Sequence, residues 1–184
     1  MVWGVIPGLN HPELLNGDTL VYSKGLGAQG LVFKDNKANE INTYLSTVKS
    51  LGIDQIIKSN FPNKVVHILG EVYGGKIQDL GYGRNTPNFA CFDICVDGVY
   101  LNRDDILAIN GINMVPSLYR GPFSKDIMYQ YTTGSTVVGK GAHIREGIVI
   151  RPIVERTDLT IGRVILKSVS GDYLTRKGVT TEFN

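Results

Sequence analysis

The dipeptide Asp97-Gly98 stands between two strand-like runs, residues 89–96 and 99–101. Asp-Gly takes the left-handed positions of a two-residue hairpin turn, so the segments on either side must pair antiparallel. Residues 64–71 form another apolar run of strand length. Residues 19–24 and 31–34 read as strands on either side of a glycine-rich turn at 25–30. The period changes only in places. Ile41, Tyr44, Leu45, Val48 and Leu51 recur every three or four residues, with Gly52 as a stop, which predicts an amphipathic helix starting near Asn36 or Asn39. Short helices are expected at 103–109 and 124–131, the second capped by Ser124. The last 40 or so residues return to strands. The expected class is α+β, antiparallel sheets with flanking helices.

With 184 residues, 42% apolar and 20% charged, the chain reads as a single domain over 1–184 with enough apolar surface for a core. A net charge of +2 excludes a global basic field, so any nucleic-acid contact must be local. No apolar run approaches the roughly 20 residues of a membrane span. The first residues lack a signal-peptide pattern, so no membrane partner and a cytoplasmic location are expected. Cys91 and Cys95, four apart on one strand, share a face but lie too far apart to bridge. They read as buried thiols in a reducing compartment, in preference to a redox or metal pair.

Two glycine motifs mislead. Gly25-Leu-Gly-Ala-Gln-Gly30 matches a dinucleotide-binding pattern, but strand-like residues follow where that pattern needs a helix. Gly134 to Lys140 nearly completes a phosphate loop, but Gly141 replaces the required hydroxyl residue. His11, His67 and His143 lack metal-ligand spacing and read as structural.

More informative are polar residues placed within apolar strands. Glu71 ends a buried run before Gly74 and Gly75, where it would either face a pocket or be solvated. Phe89 and Phe92 have opposite parity, so one fills the core while the other either stacks on a base or joins the core. In Glu146-Gly-Ile-Val-Ile-Arg151 the two charges also differ in parity, and local twist before Pro152 is needed to bring Arg151 to a pocket mouth. Lys167 follows three apolar residues. If buried, it needs an anion, which favours a phosphate contact over a solvated lysine.

In order, these segments resemble the ATP-dependent RNA ligase family of the covalent nucleotidyltransferase superfamily. The pieces are Ser23–Leu31, Gly70-Glu-Val-Tyr-Gly74 with Ile77–Leu80, Phe92-Asp-Ile94, Leu118–Pro122, His143–Pro152 and Ile165-Leu-Lys-Ser168. The resemblance implies a nucleotidyltransferase (ATP-grasp-like ligase adenylation) domain and an enzyme of RNA repair. Its cofactors would be ATP, held as AMP, and Mg²⁺. Its partner would be RNA with 5′-phosphate and 3′-hydroxyl ends, sealed through lysyl-AMP and RNA-adenylate intermediates. By position Glu71 resembles the carboxylate near the ribose and metal. Phe92 resembles the aromatic that stacks on adenine, and Glu146 the metal-holding carboxylate. Arg151 takes a usually basic place, and Lys167 resembles a lysine on the α-phosphate. These side chains are expected to gather around one hollow sized for AMP.

The family's nucleophile sits in a Lys-x-x-Gly motif about 20 to 30 residues before the strand ending at Lys24, a spacing judged from hairpin loop lengths. That places it upstream of Met1. Lys24 fits Lys-x-x-Gly but lies in the segment that normally follows the motif. It therefore stands as nucleophile, as neighbour of the phosphate or metal, or as a surface lysine. Ile165 occupies a place where the family commonly has a second lysine. Three expectations follow: a truncated ligase, one piece of a split ligase completed by a separate N-terminal segment or subunit, or a non-catalytic nucleotide- or RNA-binding relative.

Overall fold

The computed structural model describes residues 2–23, 31–75, 77, 80–139 and 143–176. The chain forms two compact units. The first comprises Met1–Tyr73 and Pro87–Val115, and the second Gly74–Thr86 and Pro116–Asn184.

The first unit is built on a six-stranded antiparallel sheet. Its strands are β1 (Val2–Val5), β2 (Thr19–Ser23), β3 (Leu31–Phe33), β4 (Val66–Tyr73), β5 (Asn88–Val96) and β6 (Val99–Tyr100), in the order β3-β2-β1-β4-β5-β6. The Asp97-Gly98 turn is as the sequence predicts, with φ of 49° and 85°. Strand alternation builds the core. The register aligns Val21, Trp3, Ile68 and Ile94 in one row across four strands, all fully buried. Phe89 packs on Trp3 with ring centroids 4.1 Å apart.

Two helices cover this face, α1 (Thr43–Leu51) and α2 (Ile53–Asn60), burying Leu45, Val48, Ile53 and Ile57. The start of α1 differs from the expectation. Asn36 caps only a short 3-10 turn at Lys37–Asn39, and Asn42 caps α1 by accepting from the amides of Tyr44 and Leu45 at 3.0 and 3.1 Å. Ile41 is left outside the helix and exposed. Gly52, with φ 59°, ends α1 and at once starts α2, which the helical periodicity did not reveal. Eight residues are too few for a repeating apolar stripe to stand out. A short helix α3 (Arg103–Leu107) follows β6.

The second unit has less sheet. Helix α4 (Lys125–Thr132) starts at Ser124, whose side chain accepts from the Ile127 amide, as expected. Strand β7 (Gly147–Ile150) pairs antiparallel with β10 (Leu166–Val169). Between them β8 (Thr157–Asp158) and β9 (Gly162–Arg163) make a small hairpin, and α5 (Gly171–Thr175) follows. Helix α4 packs on β7 and β10, where the Thr132 and Ser168 hydroxyls lie 2.7 Å apart. Among the described residues, no helix is long and apolar enough to cross a membrane.

Candidate nucleotide site

In the first unit, Glu71 and Phe92 are presented by neighbouring strands. Glu71 lies opposite Ala90, exposed, on the sheet face turned away from α1 and α2. Strand β4 runs on to Tyr73, so Glu71 is near the strand end rather than at it. Phe89 and Phe92 divide as parity predicts: Phe89 is fully buried and Phe92 half-buried. An irregularity sharpens the division. Leu69 pairs with Asp93 and Gly70 with Cys91, so Phe92 is the extra residue of a β-bulge. A bulge re-aims the side chain it carries and tightens local twist. Gly70 is required beside it, because a Cβ there would lie 2.2 Å from the Phe89 ring and 2.4 Å from the Ala90 carbonyl oxygen.

The same sheet face carries Tyr22 and His67, with the Tyr22 hydroxyl 3.3 Å from His67 Nδ1. Burial pushes the Tyr22 phenol above its ordinary value, and Tyr100 and Cys95 add to the shift. Cys91 and Cys95 are both buried and outside any disulfide, but the irregularity in β5 puts Cys91, opposite Gly70, and Cys95, opposite His67, on different faces rather than the shared one that their spacing predicts.

In the second unit, Glu146 precedes β7 and is half-buried. Its Oε1 accepts a hydrogen bond from the Tyr82 hydroxyl, and its backbone carbonyl accepts from the Ser170 amide at 2.9 Å. Gly147 has φ 153°, and a Cβ there would lie 2.2 Å from the Ser168 carbonyl oxygen. The bond from the Ser170 amide continues the antiparallel pairing one residue past Gly147.

Arg151 follows the strand. It is 12% exposed and pairs with Glu155, which Arg163 also holds through Nε at 2.7 Å. The Arg163 hydrogen bond holds the Glu155 carboxyl below the usual range despite burial, and Arg151 adds to this. Arg145 donates to the carbonyls of Tyr131, Thr133 and Ser135, tying down the chain after α4.

Lys167 corrects an expectation. The apolar residues before it suggested burial, yet Lys167 is exposed, opposite the exposed Val149. A two-stranded ribbon has one covered face, and α4 takes the side carrying Ser168. Alternation then turns Lys167 outward. Lys24 lies outside the described residues, as does the glycine turn after it.

The structure thus groups Glu71 with Phe92, and Glu146 with Arg151 and Lys167 on one ribbon. Sequence reasoning missed Tyr82, Glu155 and Arg163. No short-range pattern joins Tyr82 to a carboxylate 64 residues away.

Among the described residues, no three of His, Cys, Asp and Glu gather into a metal cage. A single carboxylate still suits Mg²⁺, which is typically held by one or two carboxylates together with substrate phosphates.

A family model, RNA ligase, matches residues 14–169. The chain belongs to the RNA ligase family. No curated protein matches it by sequence. Solved structures share its fold. Naegleria gruberi RNA ligase in a lysine-to-alanine variant with ATP and manganese superposes with a TM-score of 0.65 at 18% identity, covering 94% of this chain and 48% of that one. The same organism's RNA ligase with pyrophosphate gives 0.62 at 18% identity, covering 94% and 47%. An arginine-to-alanine variant with ATP and manganese gives 0.62 at 19%, covering 94% and 51%. This chain spans about half the length of these relatives. Its mixed fold of antiparallel sheets with helices is that of the ligase nucleotidyltransferases.

Proposed function

We propose that the chain is the adenylyl-transferring part of an ATP-dependent RNA ligase that joins 5′-phosphate and 3′-hydroxyl RNA ends. The observation that carries this reading is the family match over 14–169, which takes in Glu71, Phe92, Glu146, Arg151 and Lys167 in motif order.

The chemistry asks for three displacements at phosphorus. A lysine amine attacks the α-phosphorus of ATP, a P–N bond forms, and pyrophosphate leaves. The RNA 5′-phosphate oxygen then attacks that phosphorus and the lysine departs. Last, the 3′-hydroxyl attacks the 5′-phosphorus and AMP leaves. Each step gathers negative charge on phosphoryl oxygens, so fixed positive charge aimed at them lowers the barrier. Lys167, exposed, supplies an ammonium for the α-phosphate. Arg151 contributes a guanidinium whose orientation Glu155 fixes. Phe92, half-buried on its bulge, offers a ring face for adenine, and Glu71 accepts from the ribose hydroxyls. Glu146 and Glu71 are the carboxylates to hold Mg²⁺, which would offset phosphate charge when bound. Lys24 remains a candidate nucleophile or phosphate neighbour.

A second reading, a nucleotide- or RNA-binding relative without catalysis, is favoured by Ile165 where a second lysine is usual. Incubation with α-labelled ATP and Mg²⁺ separates the two. A covalent AMP label, lost in Lys167→Ala, supports the ligase, and Lys24→Ala tests that lysine as its site. Reversible AMP binding without label supports the second reading. Binding of RNA without label supports it equally, and a chain that takes no label and binds neither nucleotide nor RNA sinks both.

A further inference from the structure

The geometry points to Tyr82 as the positioning residue for Glu146, setting which carboxylate oxygen faces a divalent cation carried on nucleotide phosphates. This rests on the reading of Glu146 given above.

Tyr82 is held on several sides. Its backbone is left-handed, φ 50°, which is costly for a bulky aromatic, and Gly83 follows with φ 65°. Gly139, itself at φ 68°, touches this turn backbone to backbone. A Cβ on Gly139 would lie 2.0 Å from the Tyr82 carbonyl oxygen and 3.0 Å from the Gly83 nitrogen. The Tyr82 ring meets His143 edge-on, with centroids 4.5 Å apart at 76°. The His143 ring is fixed in turn, with Nδ1 donating to the Ile144 carbonyl at 2.9 Å. From this mount the Tyr82 hydroxyl donates to Glu146 Oε1.

A phenol in that position does two things. It fixes the plane of a carboxylate on the residue just before β7. It also occupies Oε1, so a cation is directed to Oε2. Partners of metal-binding carboxylates orient them, and their loss typically weakens metal binding by about 10–100-fold.

The test is a Mn²⁺ titration followed by electron paramagnetic resonance, on the full chain with a non-cleavable ATP analogue, so that no turnover is needed. Wild type, Tyr82→Phe, Glu146→Gln and the double variant are compared, with circular dichroism melts run alongside. Tyr82→Phe keeps the ring contacts and removes only the hydroxyl. It is expected to raise half-saturation by about 10-fold or more. In the Glu146→Gln background the same change is expected to add less than about 2-fold, because residues acting through one another are not additive. A Tyr82→Phe value close to wild type overturns the inference while leaving the metal role of Glu146 intact. An equal effect in both backgrounds also overturns it, since a general loss of structure would act that way. If wild type binds no Mn²⁺ with the nucleotide, or Glu146→Gln changes nothing, the reading of Glu146 fails first and the inference falls with it.

Discussion

Glu71 and Phe92 stand on a sheet whose far side is a filled apolar core, whereas Glu146 and Arg151 flank a two-stranded ribbon. In the first region the backbone is fixed by packing. Trp3, Phe89, Ile68 and Ile94 are wholly buried beneath it, and Glu71 and Phe92 simply ride on strands already in place. A two-stranded ribbon is marginal by itself. The second region is held by specific polar links: Tyr82 to Glu146, Glu155 to Arg151 and Arg163, and Arg145 to three carbonyls. One chain thus fixes two sets of side chains by two physical means, and the two should fail differently.

The largest expected effect is in the packed region. Phe89→Ala empties a site between Trp3 and Gly70 and should cost about 3–5 kcal/mol. Trp3 is the sole tryptophan, so its fluorescence in a denaturant titration reads that loss directly. A loss below about 1 kcal/mol, within the range of surface changes, would break the contrast.

Next comes the ribbon. Glu155→Gln leaves Arg151 and Arg163 facing each other without their shared carboxylate, at about 2 kcal/mol for a partly exposed network. Hydrogen exchange at β7 should quicken. The sign with pH follows from the lowered Glu155 pKa. Its contribution is fully present above the unfolded carboxyl value of about 4.3 and is lost as pH falls through the lower folded value. The difference between wild type and variant should therefore narrow on acidification below about pH 4. A gap that widens there would contradict the assignment.

The smallest stability effect belongs to Lys167→Ala, within about 0.5 kcal/mol because the side chain is exposed. AMP binding should nevertheless weaken. A variant that melts early while binding AMP normally would make Lys167 a structural residue and erase its place in the site.

The packed region was also the more legible in sequence. Strand parity separated Phe89 from Phe92, and Asp97-Gly98 announced its hairpin, because alternation and turn chemistry act over a few residues. The ribbon was read less well. The case for an anion at Lys167 rested on burial among the three apolar residues before it, but Ile165 and Leu166 are themselves exposed. Tyr82 acts through a partner 64 residues away that no periodicity encodes, and Glu155 through arginines four and eight residues away in a segment without helix. The start of α1 at Asn42 rather than Asn36 or Asn39 shows a different limit. Three asparagines compete as caps, and the winner is the one whose side chain reaches two amides.

The bulge in β5 has a consequence for how this chain can vary. The unmatched residue and the candidate stacking ring are one and the same, so shortening the strand by that residue would restore perfect alternation and delete the aromatic in a single stroke. The irregularity cannot be tidied away while the ring is kept.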